Sequence, residues 1–270
     1  MPFISSNGVS IHYEIEGDDS AASLLLHHGW TSDIEAWRDF GYVAALRDRF
    51  RLILMDARGH GLSEAPVSPD DYTPDRFVED VEAVLDAAGI GSVTFWGYSM
   101  GAAIGFELAL TSPDRLDRLI AGGMHPYGSS ATGRPQKTSA TVLLCKRGME
   151  GFIEERERAL GGRLVSKLRS RLMAADAAAL SAAGEAWAGW KGIGERVGEI
   201  DVDALLYAGA ADSRFHDGAS RAAVEMPNAR FVSLPGMSHD AAFASSPTIL
   251  PSIHAFLDDF GDDFGDDSGD

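Results

Sequence analysis

Cysteine is almost absent: Cys145 is the only one in 270 residues. A disulfide within the chain is therefore excluded, and so is a cysteine-based metal site. A reducing, cytoplasmic setting fits that usage. Positive charge is scarce as well, with 23 Lys and Arg against 41 Asp and Glu, a net charge of -18. A surplus of that sign repels phosphate backbones and anionic lipid, so neither nucleic acid nor membrane is expected as a partner. No apolar run is long enough to span a bilayer. Met1–Ser5 has no basic start and no long apolar stretch, so no signal peptide is expected. The 8 histidines are scattered, and no phosphate-cradling glycine loop occurs. The expectation is a chain with no metal and no cofactor. Part of the acidity is local, since Asp258–Asp270 repeats Asp-Asp-Phe-Gly. That composition predicts a disordered acidic tail over residues 259–270.

What the chain does have is alternation of strand and helix. Val9–Glu16 places Val9, Ile11, Tyr13 and Ile15 on one face, which predicts a half-buried antiparallel strand at a sheet edge. Ser23–His28 and Arg51–Asp56 are continuous apolar strands, the pattern of strands buried on both faces of a parallel sheet. Helices are expected around Ile34–Leu46 and from Asp75, where Phe77, Val81, Val84, Leu85 and Ala88 share a face and Gly89 ends the run. Further strands are read at Val93–Tyr98, Leu116–Gly123, Ala204–Gly209 and Arg230–Leu234, with helices near Gly218–Glu225 and Pro247–Phe260. This rhythm predicts an α/β fold with a doubly wound parallel sheet. It breaks from about Met124 to Glu199, where only helical patterns are found: Thr138–Lys146, Met149–Leu160, Val165–Ala175 and Ala177–Trp190. The expected organisation is a core of residues 1–124 and 200–258, a helical cap of residues 125–199, and the tail.

The chain is organised around Gly97-Tyr98-Ser99-Met100-Gly101, placed between an apolar β-rich run and a small-residue helix. Strand, tight turn and helix make G-x-S-x-G a nucleophile elbow. A serine is a poor nucleophile until a base takes its proton. His239 is the best base, in a loop after one strand and before a helix, where the carboxyl edge of the sheet should lie. His12 sits in a strand and His254 in a helix; His60 and His216 are available, and His125, after the strand that follows the elbow, is the serious rival. A carboxylate must orient the imidazole. Asp212 follows its strand directly, which gives the order Ser99, Asp212, His239. Asp240 is adjacent to the base in sequence and Asp217 opens a helix. A tetrahedral oxyanion needs two N–H donors, and the backbone amides of Met100 and Trp30 are the candidates. Tyr98, Met124, His125 and Tyr127 are expected near Ser99, with Leu143, Phe152, Trp187 and Trp190 above it as apolar pocket or as packing.

His28-Gly29-Trp30, Asp56-x-Arg58-Gly59-x-Gly61-x-Ser63, Gly97-x-Ser99-x-Gly101, Gly209-x-x-Asp212 and Gly236-x-Ser238-His239 follow one another in this order. The series resembles the α/β-hydrolase superfamily over nearly all of the chain except the tail. The resemblance implies an eight-stranded, mostly parallel sheet, a helical cap after the sixth strand, and Ser99, Asp212 and His239 as a triad. It also implies that Asp56 and Arg58 brace loops rather than react. Haloalkane dehalogenases and epoxide hydrolases in this superfamily use an aspartate nucleophile, which Ser99 excludes. A serine carboxylesterase with a helical cap is the leading expectation, acting on a small ester or lactone. Lactonases, C–C bond hydrolases, perhydrolases and acyltransferases share the machinery, and a non-catalytic receptor on the same fold is the reading from another class. The motifs fix neither the acyl group nor the oligomeric state.

Overall fold

A computed structural model describes residues 2–128 and 137–259. Eight strands form one sheet: β1 (Phe3–Ser6), β2 (Val9–Glu16), β3 (Ser23–His27), β4 (Arg51–Met55), β5 (Val93–Tyr98), β6 (Leu116–Gly122), β7 (Ala204–Gly209) and β8 (Ala229–Leu234). Their order across the sheet is β1-β2-β4-β3-β5-β6-β7-β8. The β1–β2 and β2–β4 pairs are antiparallel and all the others parallel. The chain leaves β3 to form β4 on one side, then returns to form β5 on the other. That reversal opens a crevice at the carboxyl ends of β3 and β5, where ligands of open α/β sheets bind.

The apolar runs behave as strands covered on both faces. Leu24 and Leu26 enter one core with Trp37, Tyr42, Trp96 and Ile253, while Leu25 enters the other with Ile53, Phe77, Phe95 and Ile104. Alternate residues therefore supply two cores, and each fully buried Leu or Ile contributes about 1.5–3 kcal/mol relative to exposure. One face is covered by α1 (Ile34–Asp39), α2 (Tyr42–Leu46) and the C-terminal helices, the other by α3 (Pro74–Ala87) and α4 (Met100–Thr111).

Between β6 and β7 the described residues form α5 (Ser139–Leu160), α6 (Ser166–Ala174) and α7 (Ala177–Ala188), with one isolated bridge, Tyr127 to Gly192. These helices bury a small core of their own, including Leu144, Phe152, Ile153, Leu172 and Leu180. Thr138 and Thr141 cap α5 reciprocally: Thr141 N donates to Thr138 Oγ1 at 3.2 Å and Thr138 N to Thr141 Oγ1 at 2.8 Å. At Gly148 the backbone turns to φ 61°, ψ -165°, so α5 is two helical pieces joined at the break expected between Lys146 and Met149. After β7 come α8 (His216–Glu225), then α9 (His239–Ala244) and α10 (Ser246–Asp258). Among the described residues no helix is long and apolar enough to cross a membrane.

Three expectations need correction. Strand β2 is not the edge; the short β1 pairs outside it, reached through a turn with Asn7 at φ 50° and Gly8 at φ 82°. The helix expected over Ile34–Leu46 is two, because Gly41 at φ 84° interrupts it. His239, expected in a loop, is the first residue of α9, which Ser245 separates from α10. The acidic tail, apart from Asp259, lies outside the described residues.

Candidate active site

Strand β5 is buried throughout, and at its carboxyl end the chain turns through Ser99 into α4. Ser99 has φ 54° and ψ -115°, a sparsely populated conformation for a residue with a side chain, worth about 1–3 kcal/mol of strain. The flanking glycines make the turn possible. A Cβ on Gly97 would lie 2.3 Å from the Gly101 carbonyl carbon, and one on Gly101 would lie 2.2 Å from the His27 carbonyl oxygen. Both obstacles are backbone, so no side-chain adjustment relieves them. Ser99 N donates to Gly122 O on β6 at 2.8 Å, and Ala103 N donates to Ser99 O at 3.1 Å to begin the helix.

The loops after β7 and β8 are fastened together. Ala210 N donates to Leu234 O at 2.8 Å and Ala211 N to Met237 O at 2.9 Å, while a Cβ on Gly209 would stand 2.1 Å from Met237 O. This close passage brings Asp212 and His239 to the crevice. His239 Nε2 lies 3.1 Å from Ser99 Oγ, and its Nδ1 lies 2.6 Å from Asp212 Oδ2. With the proton on Nδ1 donated to the carboxylate, Nε2 is the acceptor for the serine hydroxyl. Asp212 is 4% exposed, and its Oδ1 accepts from Arg214 N at 3.3 Å. Burial by itself would raise this carboxyl. The hydrogen bond and charge of His239, with the Arg214 amide, outweigh burial and hold it below the usual carboxylate value.

His239 is also held from the sides. Tyr98 OH donates to the His239 carbonyl oxygen at 2.5 Å, and its ring centre lies 5.3 Å from the imidazole. The Phe215 ring lies 5.1 Å away. Phe215 carries no motif, and its place against His239 could not be read from the sequence. Burial, with the Asp212 charge added, pushes the Tyr98 hydroxyl well above the ordinary tyrosine value, so it stays a donor.

At the end of β3 the chain passes Ser99 closely: a Cβ on Gly29 would lie 3.2 Å from both Ser99 Cβ and Tyr98 O. Among the described residues, the amides of Trp30 and Met100 donate to no protein acceptor. The Trp30 indole reaches into the inserted helices, donating Nε1 to Leu180 O at 3.0 Å and meeting Phe152 edge-on at 5.9 Å.

The other acids and histidines are occupied elsewhere. Asp56 accepts from His12 Nδ1 at 2.8 Å, Ile34 N at 2.9 Å and Leu62 N at 3.0 Å. Arg58 grips Asp80 with two bonds of 2.7 and 2.6 Å, both side chains fully buried. These two motif residues brace loops. Burial, with neighbouring histidines, pushes His27 and His60 down to about 3, so both are neutral near pH 7. His216 lies 2.9 Å from both Asp217 Oδ1 and Ser233 Oγ. His254 faces Arg49 at 2.9 Å. His125 packs on Phe215 at 5.5 Å, one ring removed from His239.

Six of the side chains expected around the pocket divide. Tyr98 and His125 are near His239 as described, and Met124 packs partly buried against the core on the α3–α4 face. Tyr127 instead donates to Glu225 Oε2 at 2.6 Å beneath the Arg221 guanidinium. Trp187 meets Phe77 of α3 at 5.5 Å, and Trp190 Nε1 donates to Glu107 Oε1 of α4 at 2.6 Å. These three rings seat the insertion on the sheet's helices. Large rings with a polar tip gain most where two apolar layers meet and a partner is in reach. A cavity of about 480 Å³ opens beside β2, with Thr31, Asp33, His60, Leu62, Leu172 and Leu180 in its wall. Neither Ser99 nor any of those six residues lines it. Among the described residues no cluster of His, Cys, Asp or Glu could hold a metal ion.

The family profile of the alpha/beta hydrolase fold matches residues 22–207. The chain belongs to the α/β-hydrolase fold family. A putative 2-succinyl-6-hydroxy-2,4-cyclohexadiene-1-carboxylate synthase of Bacillus subtilis (strain 168) is 26% identical to this α/β-hydrolase-fold chain over 248 residues, covering 87% of it and 89% of that protein. The 3-oxoadipate enol-lactonase 2 of Acinetobacter baylyi is 27% identical over 223 residues, covering 77% and 78%. The solved enol-lactonase of Burkholderia xenovorans LB400 superposes with a TM-score of 0.79 at 25% identity, covering 95% of this α/β-hydrolase chain and all of that one.

Proposed function

We propose that the protein is a serine hydrolase of small carboxylic esters and lactones. One observation carries this reading: a strained serine at the end of β5, joined through His239 to a buried carboxylate by contacts of 3.1 and 2.6 Å. Ser99 Oγ attacks the substrate carbonyl carbon as His239 Nε2 takes its proton. The oxygen that gains the negative charge is held by the amides of Trp30 and Met100, which donate to no protein acceptor among the described residues. The tetrahedral species collapses, the C–O bond to the alcohol breaks, and the imidazolium returns its proton to the leaving oxygen. Water then repeats the sequence on the acyl-serine, releasing the acid and restoring the hydroxyl. Asp212 keeps the imidazole in the tautomer that presents Nε2 and stabilises the cation formed. The enol-lactonase relatives favour a lactone as readily as an open ester, because the same attack opens a ring with the alcohol still attached. In this reading residues 1–124 and 200–258 carry the chemistry, and residues 125–199 form a cap over it.

The test is Ser99 labelling by a fluorophosphonate, together with hydrolysis of short p-nitrophenyl esters and of γ- and δ-lactones. Wild type is labelled and turns over substrate, and Ser99→Ala does neither. Equal hydrolysis by the two proteins would end the proposal.

A further inference from the structure

One side chain near the crevice has more bonding capacity than partners. Arg156 lies on α5 one turn beyond Phe152, on the helix face that meets Trp30. Its Nη1 is 3.4 Å from Thr31 Oγ1 and its Nη2 is 3.4 Å from Asp240 Oδ1. Both contacts are longer than a good N–H···O bond of about 2.7–3.2 Å. Its Nε is sealed from solvent and has no hydrogen-bond partner among the described residues. Arg58 shows what a satisfied guanidinium looks like in this protein, with Nε and Nη2 bonded to one carboxylate at 2.7 and 2.6 Å.

The placement is specific to the site. Thr31 follows Trp30, and Asp240 follows His239. The guanidinium therefore spans the gap between the loop that carries a candidate oxyanion donor and the first turn of α9, which carries the candidate base. A buried N–H left unpaired is costly, and the planar donor fork of arginine is matched by a carboxylate. Asp240 is 54% exposed and meets the fork at one long contact only, so a second carboxylate can displace it. The global charge of -18 opposes anions at long range, but solvent screens that field over about 8 Å. A local cation between Thr31 and Asp240, each next in sequence to a residue of the site, is then what selects for charge.

Resting on the serine-hydrolase reading, we infer that Arg156 is a specificity-determining residue that binds a carboxylate carried by the substrate away from the scissile carbonyl. The preferred substrates are half-esters or lactones of dicarboxylic acids.

Mono-p-nitrophenyl adipate and p-nitrophenyl hexanoate share chain length and leaving group and differ in the terminal carboxylate. The wild-type enzyme has the higher kcat/KM for the adipate. In Arg156→Gln the adipate-to-hexanoate ratio of kcat/KM falls about tenfold or more, the range of a lost charge-assisted hydrogen bond. In Asp240→Asn the ratio rises, because the internal competitor is gone; this second variant keeps the test open if the first does not fold. A ratio that is unchanged in Arg156→Gln, as a purely structural tether would leave it, overturns the inference, and so does a wild-type preference for hexanoate. Fluorophosphonate labelling separates the two levels. Labelling of Ser99 with an insensitive ratio removes only the role of Arg156, whereas no labelling of the wild type removes the hydrolase reading and this inference with it.

Discussion

The backbone strain at Ser99 can be measured by comparing two variants that both lack the hydroxyl. Ser99→Ala and Ser99→Gly each remove the contact to His239 Nε2, so their difference reports only the Cβ. At an ordinary position glycine is less stable than alanine by about 0.5–1 kcal/mol, because the unfolded chain has more freedom to lose. At φ 54° and ψ -115° the alanine Cβ is in a disfavoured region, and releasing it returns about 1–3 kcal/mol. The two effects oppose, and the strain is the larger. The glycine variant is expected to be the more stable by about 1 kcal/mol, the middle of the difference between those ranges. For a chain of this size that raises the melting temperature by about 2–4 °C over the alanine variant. Urea melts of both proteins, with equal slopes, give the free energy directly. A glycine variant less stable than the alanine variant by the ordinary amount would show that the elbow stores no strain and refute the reasoning.

Asp212→Asn keeps the shape of the side chain but removes the charge that orients His239, and hydrolysis is expected to fall about 10³–10⁴-fold with little loss of fold; activity within tenfold of wild type on p-nitrophenyl esters would contradict the role. The same variant tests pH linkage. Asp212 has its pKa lowered in the folded state, so its stabilisation is complete above the unfolded carboxylate value of about 4 and is lost as pH falls through the lower folded value. The melting-temperature gap between wild type and Asp212→Asn is therefore full at pH 5 to 6, about one to two units above that value, and closes on further acidification. A gap that widens in acid has the wrong sign. Asp80→Ala leaves Arg58 charged and buried with only the Asp71 and Arg76 carbonyls as acceptors, and is expected to cost about 3–5 kcal/mol in a denaturant melt; a loss under 1 kcal/mol would mean that water reaches the guanidinium.

Local sterics and periodicity made much of this protein legible as sequence. Strands covered on both faces need no polar alternation, so Leu24–Leu26 and Leu52–Met55 identified themselves by being uniformly apolar. The elbow identified itself because only glycine fits at 97 and 101, where the obstacles are backbone atoms. The order Ser99, Asp212, His239 followed from placing each at the carboxyl end of a strand, and the structure brings all three within hydrogen-bond reach. The break in α5 was also marked, by Gly148.

Partner choice among side chains far apart in the chain was not legible. Tyr127, Trp187 and Trp190 look like pocket rings in sequence, but which surface a ring covers depends on what the fold sets opposite it, here α8, α3 and α4. Phe215 against His239 and Arg156 between Thr31 and Asp240 carry no motif, since their meaning lies in contacts that span 24 to 125 positions of chain. The short β1 escaped for a related reason: four residues with a mixed burial pattern have no period to detect until β2 offers them an edge. The sequence by itself determined the strands, the elbow and the choice of Ser99, Asp212 and His239 as the candidate triad, because backbone sterics and burial period act over a few residues. Only the tertiary structure decided what surrounds those side chains, because that depends on surfaces meeting across the whole chain.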